Sequence, residues 1–329
     1  MIDTPLVSVV LPFYNAPFLK EAIESILKQS YQNFELIIVN NASIDSSSEV
    51  ARSYTNYDKV ILINEAERGV VHAVNTGIRN AKGTYIARMD ADDIADPNRL
   101  KYQVEAMLND SSLDVVSGLV EYLGSSENEG FIHYVDWLNT IRSNEELNQN
   151  QFVEFPLANP SMMLKRELFE QFGYYKDGNF PEDYEFFLRL QSHDVKMEKV
   201  NKPVLKWRDS ETRLTRTDER YSQEAFFKIK AKYLAKWLKM HNPFHPEIYI
   251  WGAGRLSRRR SDLLLKEGIK VVEYIDVKAG NQVLHYENLP EKKNTFIVSY
   301  VSNRGAREEI RSFLIQKGYI EGVNFILAA

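Results

Sequence analysis

The sequence contains no cysteine among its 329 residues. Disulfide bonds, thiolate zinc sites, iron–sulfur clusters and cysteine nucleophiles are therefore excluded, and a metal ion would need oxygen or imidazole ligands. The chain also lacks an apolar run of about 18 residues, the length that a membrane-spanning helix requires. No basic region precedes the short apolar run at residues 6–11, so we expect neither a signal peptide nor a membrane anchor.

An excess of positive charge is missing as well. The chain has 41 lysine and arginine residues against 46 aspartate and glutamate residues, which gives a formal net charge of -5. No overall basic field draws it onto nucleic acid, and we expect no nucleic-acid partner. With 44% hydrophobic and 26% charged residues, the composition is typical of a folded protein. Together these features favour a cytoplasmic location.

Short apolar runs alternate with segments of helical periodicity from residue 6 onward. The first four runs lie at residues 6–11, 34–39, 60–63 and 85–89. This alternation predicts an α/β fold with a mostly parallel sheet flanked by helices. Gly83 is expected to end one helix with a positive φ. Asp96-Pro97 is expected to begin another helix, whose buried stripe would be Leu100, Val104, Met107 and Leu108.

The last 85 or so residues repeat the α/β pattern after a proline-containing break at residues 242–246. We predict three segments: a large domain over 1–221, a helical connector over 222–246 and a smaller Rossmann-like domain over 247–329. Gly252-Ala-Gly254 resembles a dinucleotide fingerprint whose third glycine is Ser257, and Asp276 follows at the spacing of a ribose contact. A structural or docking domain and an NAD-binding domain are both compatible with this pattern.

Three carboxylates follow the fourth apolar run, in Asp90-Ala91-Asp92-Asp93. The carboxyl ends of parallel strands are where open α/β sheets bind ligands. Two unit charges 4 Å apart repel by about 4 kcal/mol at an effective dielectric constant near 20, so these acids favour a counter-cation. Mg²⁺ or Mn²⁺ prefers oxygen ligands and often completes its shell with substrate phosphates. The alternative is a solvated acidic turn that caps the next helix.

Several separate segments together resemble the family 2 glycosyltransferases, which are nucleotide-sugar-dependent enzymes of the GT-A fold. The segments are residues 7–15 (VSVVLPFYN), 36–43 (LIIVNNAS), 69–83 (GVVHAVNTGIRNAKG), 86–93 (IARMDADD), 159–166 (NPSMMLKR), 181–190 (PEDYEFFLRL) and Trp207-Arg208. They occur in the family's order and span roughly residues 5–220. The resemblance implies an enzyme that transfers a sugar from a nucleotide diphosphate and uses Mg²⁺ or Mn²⁺.

The resemblance also implies roles for individual residues. Asp183 matches the catalytic base and Asp92 the metal ligand. The nucleotide-sugar-binding residues would be Pro12, Tyr14, Asn40, Asn41, Arg68, Asp90, Ala91, Arg213 and Arg216. Within this set, Asp90 would contact the ribose, Arg68 would lie on the diphosphate side, and Arg213 with Arg216 would close over the diphosphate or the acceptor. Acids at a helix start also serve as caps, which is the alternative for Asp183.

Asn40-Asn41 departs from the family pattern, which has an acid at the first of these positions. An asparagine carbonyl can accept a hydrogen bond from uracil or thymine N3–H, whereas the rotated amide can donate to cytosine N3. The donor base therefore stays open. A turn at the end of the strand is an equally good interpretation of Asn40.

We therefore predict an inverting glycosyltransferase that acts on a hydroxyl acceptor, a glycan or a lipid-linked saccharide, in bacterial surface polysaccharide or glycolipid synthesis. The alternatives are a non-catalytic nucleotide-sugar-binding protein and a dehydrogenase that uses the tail. Residues 224–241 combine aromatic and lysine side chains. They are expected to form either a core-facing helix or a peripheral contact with the inner face of the membrane.

Overall fold

The computed structural model describes residues 4–125, 127–210 and 213–329. Ser126, in the polar stretch at residues 124–130, and Glu211 and Thr212, which precede Arg213, lie outside the described residues. The chain divides into two compact units. The first unit comprises Met1–Asn144, Leu157–Gly178 and Glu185–Thr217, and the second comprises Glu145–Pro156, Asn179–Tyr184 and Asp218–Ala329. The domain limits expected from the sequence stay predictions.

The described part of the first unit contains one large mixed sheet of eight strands. Its strands are β1 (Val7–Phe13), β2 (Phe34–Asn40), β3 (Val60–Asn64), β4 (Tyr85–Arg88), β5 (Ile94–Ala95), β6 (Val115–Leu123), β7 (Met163–Lys165) and β8 (Met197–Arg208). The strand order is β3-β2-β1-β4-β7-β6-β8-β5. β7 is antiparallel to both of its neighbours and β5 is antiparallel to β8, while the other pairs are parallel.

Twelve α-helices connect and flank the strands in the described residues. They are α1 (Leu19–Leu27), α2 (Ser47–Ser53), α3 (Val70–Arg79), α4 (Arg99–Asn109), α5 (Glu129–Thr140), α6 (Asn144–Asn150), α7 (Glu167–Phe172), α8 (Glu182–Gln191), α9 (Leu214–Thr217), α10 (Gln223–His241), α11 (Arg255–Lys266) and α12 (Arg304–Gln316). The predicted α/β fold with a mostly parallel, helix-flanked sheet is confirmed.

Three local predictions are wrong. α4 begins at Arg99 rather than at Pro97, because the Asp96 side chain accepts from the Asn98 backbone N–H at 2.8 Å and forms a turn there. Of the predicted buried stripe, Leu100, Val104 and Met107 are buried, whereas Leu108 near the end of α4 is 46% exposed. Gly83 is needed for space rather than for a positive φ, since a Cβ would lie 2.6 Å from the Ser8 backbone nitrogen.

The described part of the second unit contains a smaller, all-parallel sheet of five strands. They are β9 (Glu247–Trp251), β10 (Lys270–Asp276), β11 (Val283–His285), β12 (Ile297–Ser299) and β13 (Phe325–Leu327), in the order β11-β10-β9-β12-β13. α11 follows β9 and α12 follows β12, so each crossover returns to a parallel strand. The predicted second, smaller sheet is confirmed.

α10 packs its apolar side chains into the second unit. Ile229, Leu234 and Leu238 are buried, and Trp237 meets Phe296 edge to face. The exposed positions carry Lys228, Lys232, Lys236 and Lys239. Within residues 4–125, 127–210 and 213–329, no helix combines the length and the apolarity that crossing a membrane requires.

Candidate active site

β1, β2 and β4 end side by side at the carboxyl edge of the first sheet. β1 is parallel to both neighbours, and its last residue, Phe13, pairs with Asn40 at the end of β2. Tyr14, Asn41 and Asp90 follow these strands and therefore leave the sheet at one edge. This edge is where ligands of open α/β sheets bind.

The acidic turn, residues 90–93, is held by two arginines. Arg88 is 2% exposed and donates from Nη2 to Asp90 Oδ1 at 2.8 Å. Arg208 donates from its backbone N–H to Asp93 Oδ1 at 2.8 Å and from Nε to the Asp92 carbonyl oxygen at 2.6 Å. The two side chains fix the backbone of the turn between β4 and the end of β8.

The carboxylates of the acidic turn carry charge that the protein compensates only in part. Burial, and next the charge of Asp90, raise the pKa of Asp92 to about 6. Burial and the neighbouring Asp92 raise the pKa of Asp93 well above its ordinary range. Within the part of the chain that the structure describes, the buried Asp93 Oδ2 accepts no hydrogen bond. Such a turn attracts a cation.

The donor set fits a hard divalent ion that shares its shell with a ligand. Among the described residues, no group of three or more histidine and carboxylate side chains is arranged to hold a metal on its own. Mg²⁺ and Mn²⁺ commonly bind through one or two carboxylates, with substrate phosphates and water as the other ligands. Asp92, with Asp90 beside it, offers only oxygen atoms, as that chemistry requires.

Of the two arginines predicted to close over the diphosphate or the acceptor, Arg213 is the one electrostatically coupled to the acidic turn. Its guanidinium stacks on the rings of Trp207 and Phe131, at 4.7 Å from each centroid, and Nη1 donates to the Arg208 carbonyl oxygen at 3.0 Å. Its positive charge lowers the pKa of Asp92 and thus opposes the effect of burial.

Arg216 has other partners in the same region. It forms an ion pair with Asp209 at 2.6 Å and donates to the Ser210 carbonyl oxygen at 3.0 Å. The two arginines therefore differ, since Arg216 is engaged by a carboxylate of its own loop. A contact between Arg216 and a ligand stays a prediction.

Tyr14 and Arg68 form a small platform at the same edge. Tyr14 is 39% exposed, and the Arg68 guanidinium lies over its ring at 4.2 Å from the centroid. Pro12 is buried within β1, where it pairs with Val39. Ala91 is half-buried between the two acids of the turn. An exposed aromatic ring beside a cation suits a base and a phosphate.

Asn40 and Asn41 are both buried, with relative exposures of 8% and 5%. Asn40 Nδ2 donates to Ser48 Oγ at 3.1 Å and to Asn64 Oδ1 at 3.2 Å, and its Oδ1 accepts from the Ser43 backbone N–H at 3.0 Å. These bonds support the turn interpretation of Asn40. Contact between either asparagine and a base stays a prediction.

Asp183 belongs to the second unit, at the start of α8. Its Oδ1 accepts from the Tyr184 backbone N–H at 2.7 Å. The adjacent Glu182 is 5% exposed, and the Tyr221 hydroxyl lies 2.8 and 2.7 Å from its two carboxylate oxygens. Burial, and next the charge of Glu182, raise the pKa of Tyr221 far above its ordinary value, so Tyr221 donates to Glu182. Of the two acids, Asp183 is the more exposed.

Sequence reasoning missed Arg99, and it gave Arg208 no role. Arg99 is fully buried, and its Nη2 donates to the Arg88 carbonyl oxygen at 2.7 Å, directly before the acidic turn. Arginines near the ends of a helix and a strand are typical surface residues, so no local pattern marks them. Only the pairing of β5 with β8, which brings Arg208 beside residues more than a hundred positions earlier, reveals the contact.

Comparison with known proteins identifies the family. A model described as Glycosyl transferase family 2 matches residues 8–173. An uncharacterized glycosyltransferase of Methanocaldococcus jannaschii is 31% identical over 257 residues, which cover 76% of this chain and 85% of that protein. EpsJ of Bacillus subtilis, also an uncharacterized glycosyltransferase, is 29% identical over 222 residues, 64% of this chain and 63% of its own length. The chain belongs to glycosyltransferase family 2 and is a glycosyltransferase.

Solved structures share the fold. Residues 1–349 of S. aureus TarS in complex with UDP-GlcNAc have a TM-score of 0.56 at 16% identity, covering 79% of this chain and 70% of that one. A mannosyltransferase of Pyrobaculum calidifontis in complex with GDP-Man and Mn²⁺ has a TM-score of 0.51 at 20% identity, covering 81% of this chain and 70% of that one. The predicted GT-A-type fold is confirmed.

Proposed function

We propose that this glycosyltransferase is an inverting enzyme that moves a sugar from a nucleotide-diphosphate donor to a hydroxyl acceptor. The observation that carries the proposal is the partly compensated charge of the acidic turn, where the pKa of Asp92 rises to about 6. A divalent cation that bridges Asp92 to a diphosphate would relieve this charge. The complexes of the structural relatives with UDP-GlcNAc and with GDP-Man and Mn²⁺ support this choice of ligand.

Different residues at the edge of the first sheet would contact different parts of the donor. Asp92 would hold Mg²⁺ or Mn²⁺, which when bound stabilises the charge of the departing diphosphate. Asp90, already oriented by Arg88, would contact the ribose beside Ala91. Tyr14 with Pro12 would line the base, and the cationic groups of Arg68 and Arg213 would lie toward the phosphates. The identity of the nucleotide base and the role of Arg216 are not assigned.

Asp183 would act as the general base. In an inverting transfer the acceptor hydroxyl attacks the anomeric carbon from the face opposite the leaving diphosphate, and one carboxylate takes the hydroxyl proton. Glu182 is a poor candidate because Tyr221 occupies both of its carboxylate oxygens. The supporting argument for Asp183 is thus its greater exposure together with the family motif at residues 181–190.

The acceptor would be a glycan or a lipid-linked saccharide of a bacterial surface polysaccharide or glycolipid. Contact with an anionic membrane surface would use the exposed lysines of α10, because most of its apolar side chains are already buried in the second unit. Binding would then be electrostatic. Flotation with anionic vesicles that disappears at high salt supports this contact, and its absence at low salt removes it.

Replacing Asp183 tests the proposed chemistry. Asp183→Asn should lower transfer by about 10²–10⁴-fold, the range that general-base catalysis supplies, and leave donor affinity unchanged. The control is Asp262→Asn on the exposed side of α11, which should transfer like wild type. Donors and acceptors are screened by product formation, and NMR of the product reports the anomeric configuration. Retention of configuration, or full activity of Asp183→Asn, contradicts the proposal, and binding without transfer indicates a nucleotide-sugar-binding protein.

A further inference from the structure

The Asn41 side chain forms hydrogen bonds with the backbone of one loop, residues 65–69. Its Nδ2 donates to the Glu67 carbonyl oxygen at 2.6 Å and, more weakly, to the Glu65 carbonyl oxygen at 3.4 Å. Its Oδ1 accepts from the Gly69 backbone N–H at 2.7 Å. Asn41 thus links the end of β2 to both ends of the loop.

These partners determine which way the amide faces. A carbonyl oxygen can only accept and a backbone N–H can only donate, so the amide cannot rotate by 180° without losing its bonds. Both N–H groups of Nδ2 are used, and the side chain is 5% exposed. The orientation that would donate to cytosine N3 is therefore unavailable, and the amide oxygen is directed at Gly69.

The loop that Asn41 holds carries Arg68 to the edge of the sheet. Arg68 lies between the Glu67 carbonyl and the Gly69 N–H that Asn41 binds, and its guanidinium stacks on Tyr14. Gly69 has φ of +136°, a conformation that other residues rarely adopt. Because Asn41 binds the backbone on both sides of Arg68, it restricts the position of the Arg68 backbone and thereby the region that its side chain can reach.

We propose that Asn41 is a positioning residue, which fixes the 65–69 loop so that Arg68 lies on Tyr14, and that it does not read the base of the nucleotide. The proposal rests on the proposed function, because it assumes that Tyr14 and Arg68 contact the donor. An aspartate at position 41 could not donate to the Glu67 carbonyl oxygen.

The test is Asn41→Asp, measured by isothermal titration with UDP, CDP, GDP and dTDP in the presence of Mn²⁺. A carboxylate facing the Glu67 carbonyl oxygen repels it and releases the loop. We expect affinity to fall about tenfold, the scale of a buried carbonyl left without its donor, and by the same factor for every nucleotide that the wild type binds. A change in the ranking of the nucleotides, or an unchanged affinity, overturns the proposal.

Two further variants separate positioning from folding. Asn75 makes the same kind of bonds elsewhere: its Nδ2 donates to the Tyr175 carbonyl oxygen at 2.9 Å and its Oδ1 accepts from the Tyr175 N–H at 3.1 Å. Asn75→Asp should lower the melting temperature and leave nucleotide affinity unchanged. Gly69→Ala strains the loop while keeping the Asn41 side chain and the Gly69 N–H donor, and a Cβ there would lie 3.1 Å from His72 Cδ2. It should reproduce the uniform loss.

The wild type distinguishes this proposal from the proposed function. If the wild type binds none of the four nucleotides with Mn²⁺, the proposed function fails and this proposal fails with it. If the wild type binds and Asn75→Asp weakens binding as much as Asn41→Asp does, the loss reflects general destabilisation, and the positioning role of Asn41 is wrong.

Discussion

The two sheets differ in how the carboxylates at the carboxyl ends of their parallel strands are stabilised. In the second unit, Asp276 ends β10, and its carboxylate accepts from the backbone N–H groups of Ala253 and Val277 at 2.6 and 2.7 Å. In the first unit, Asp92 and Asp93 have raised pKa values because burial and mutual repulsion outweigh their hydrogen bonds. One edge satisfies the charge of its own carboxylate, while the other leaves part of its negative charge uncompensated.

This difference favours a structural interpretation of the glycine turn in the second unit. The Ala253 N–H, which a pyrophosphate would use at the start of α11, is occupied by a carboxylate that would repel the phosphate. Gly252 has φ of +109°, and a Cβ there would lie 2.6 Å from Ser257 Oγ. The turn and the close approach of the helix therefore account for Gly252 without a dinucleotide.

The largest expected effect is a difference in transfer activity between a substitution at the edge of the first sheet and one at the edge of the second. Asp92→Asn should lower transfer about a thousandfold with Mn²⁺ present, because a metal ligand supplies several kcal/mol of transition-state stabilisation. Asp276→Asn should keep transfer within about twofold, since a backbone cap that relaxes locally is worth only about 1 kcal/mol. Initial rates with one donor and acceptor measure both. Equal losses in the two variants would break the comparison.

A second contrast concerns packing rather than charge. Gly77 lies in α3, and a Cβ there would be 2.4 Å from Val10 Cγ1 and 3.2 Å from Val39 Cγ2. Gly77→Ala should therefore lower the free energy of unfolding by about 2–3 kcal/mol, as overpacking does. Gly254 has nothing within 4 Å of the corresponding position, so Gly254→Ala should change it by less than about 1 kcal/mol. Urea unfolding of both variants tests the contrast, and equal losses would contradict it.

The smallest effect has opposite signs at the two edges. The pKa of Asp92 is about 6 in the folded protein against an ordinary value of 3.8, so its ionisation destabilises the fold as pH rises through this window. Without metal, Asp92→Asn should raise the free energy of unfolding at pH 7–8 by on the order of 1–2 kcal/mol, and the gain should vanish near pH 4 and below. Asp276→Asn should lower it at pH 7–8 by about 1 kcal/mol, since one backbone N–H loses its acceptor. Urea unfolding curves measured without metal at several pH values test both expectations. If Asp92→Asn were less stable than wild type at pH 8, ionised Asp92 would not destabilise the fold, and the account would be wrong.

Much of the fold could be predicted from the sequence because its signals are local. The apolar runs and helical periodicity predict β1 to β4 and the helices between them, and parallel pairing then brings Tyr14, Asn41 and Asp90 to one edge. The order of elements between residues 110 and 160 could not be predicted. β6 pairs with β7 and β8, which come tens of residues later, so that no short segment shows where β6 belongs.

The residues of the site could be predicted from the sequence, but the contacts that hold them in place could not. The acidic turn follows β4 as expected. However, Arg208, which holds the turn, and Arg99, which binds the Arg88 carbonyl oxygen before it, come from a strand end and a helix with no motif of their own. The direction of the Asn41 amide also depends on a loop more than twenty residues away. Contacts over such separations are set by strand pairing, which a linear motif does not encode.

The central claim is that Asp92 binds a divalent ion together with a diphosphate, and Mn²⁺ binding measured by electron paramagnetic resonance tests it most directly. The signal of free Mn²⁺ is followed during titration with wild type and with Asp92→Asn, each with and without the nucleoside diphosphate that binds best. We predict that wild type takes up Mn²⁺ beyond what the nucleotide alone binds, and that Asp92→Asn loses this uptake. Equal Mn²⁺ uptake by the two proteins, or none by wild type in the presence of nucleotide, would contradict the claim.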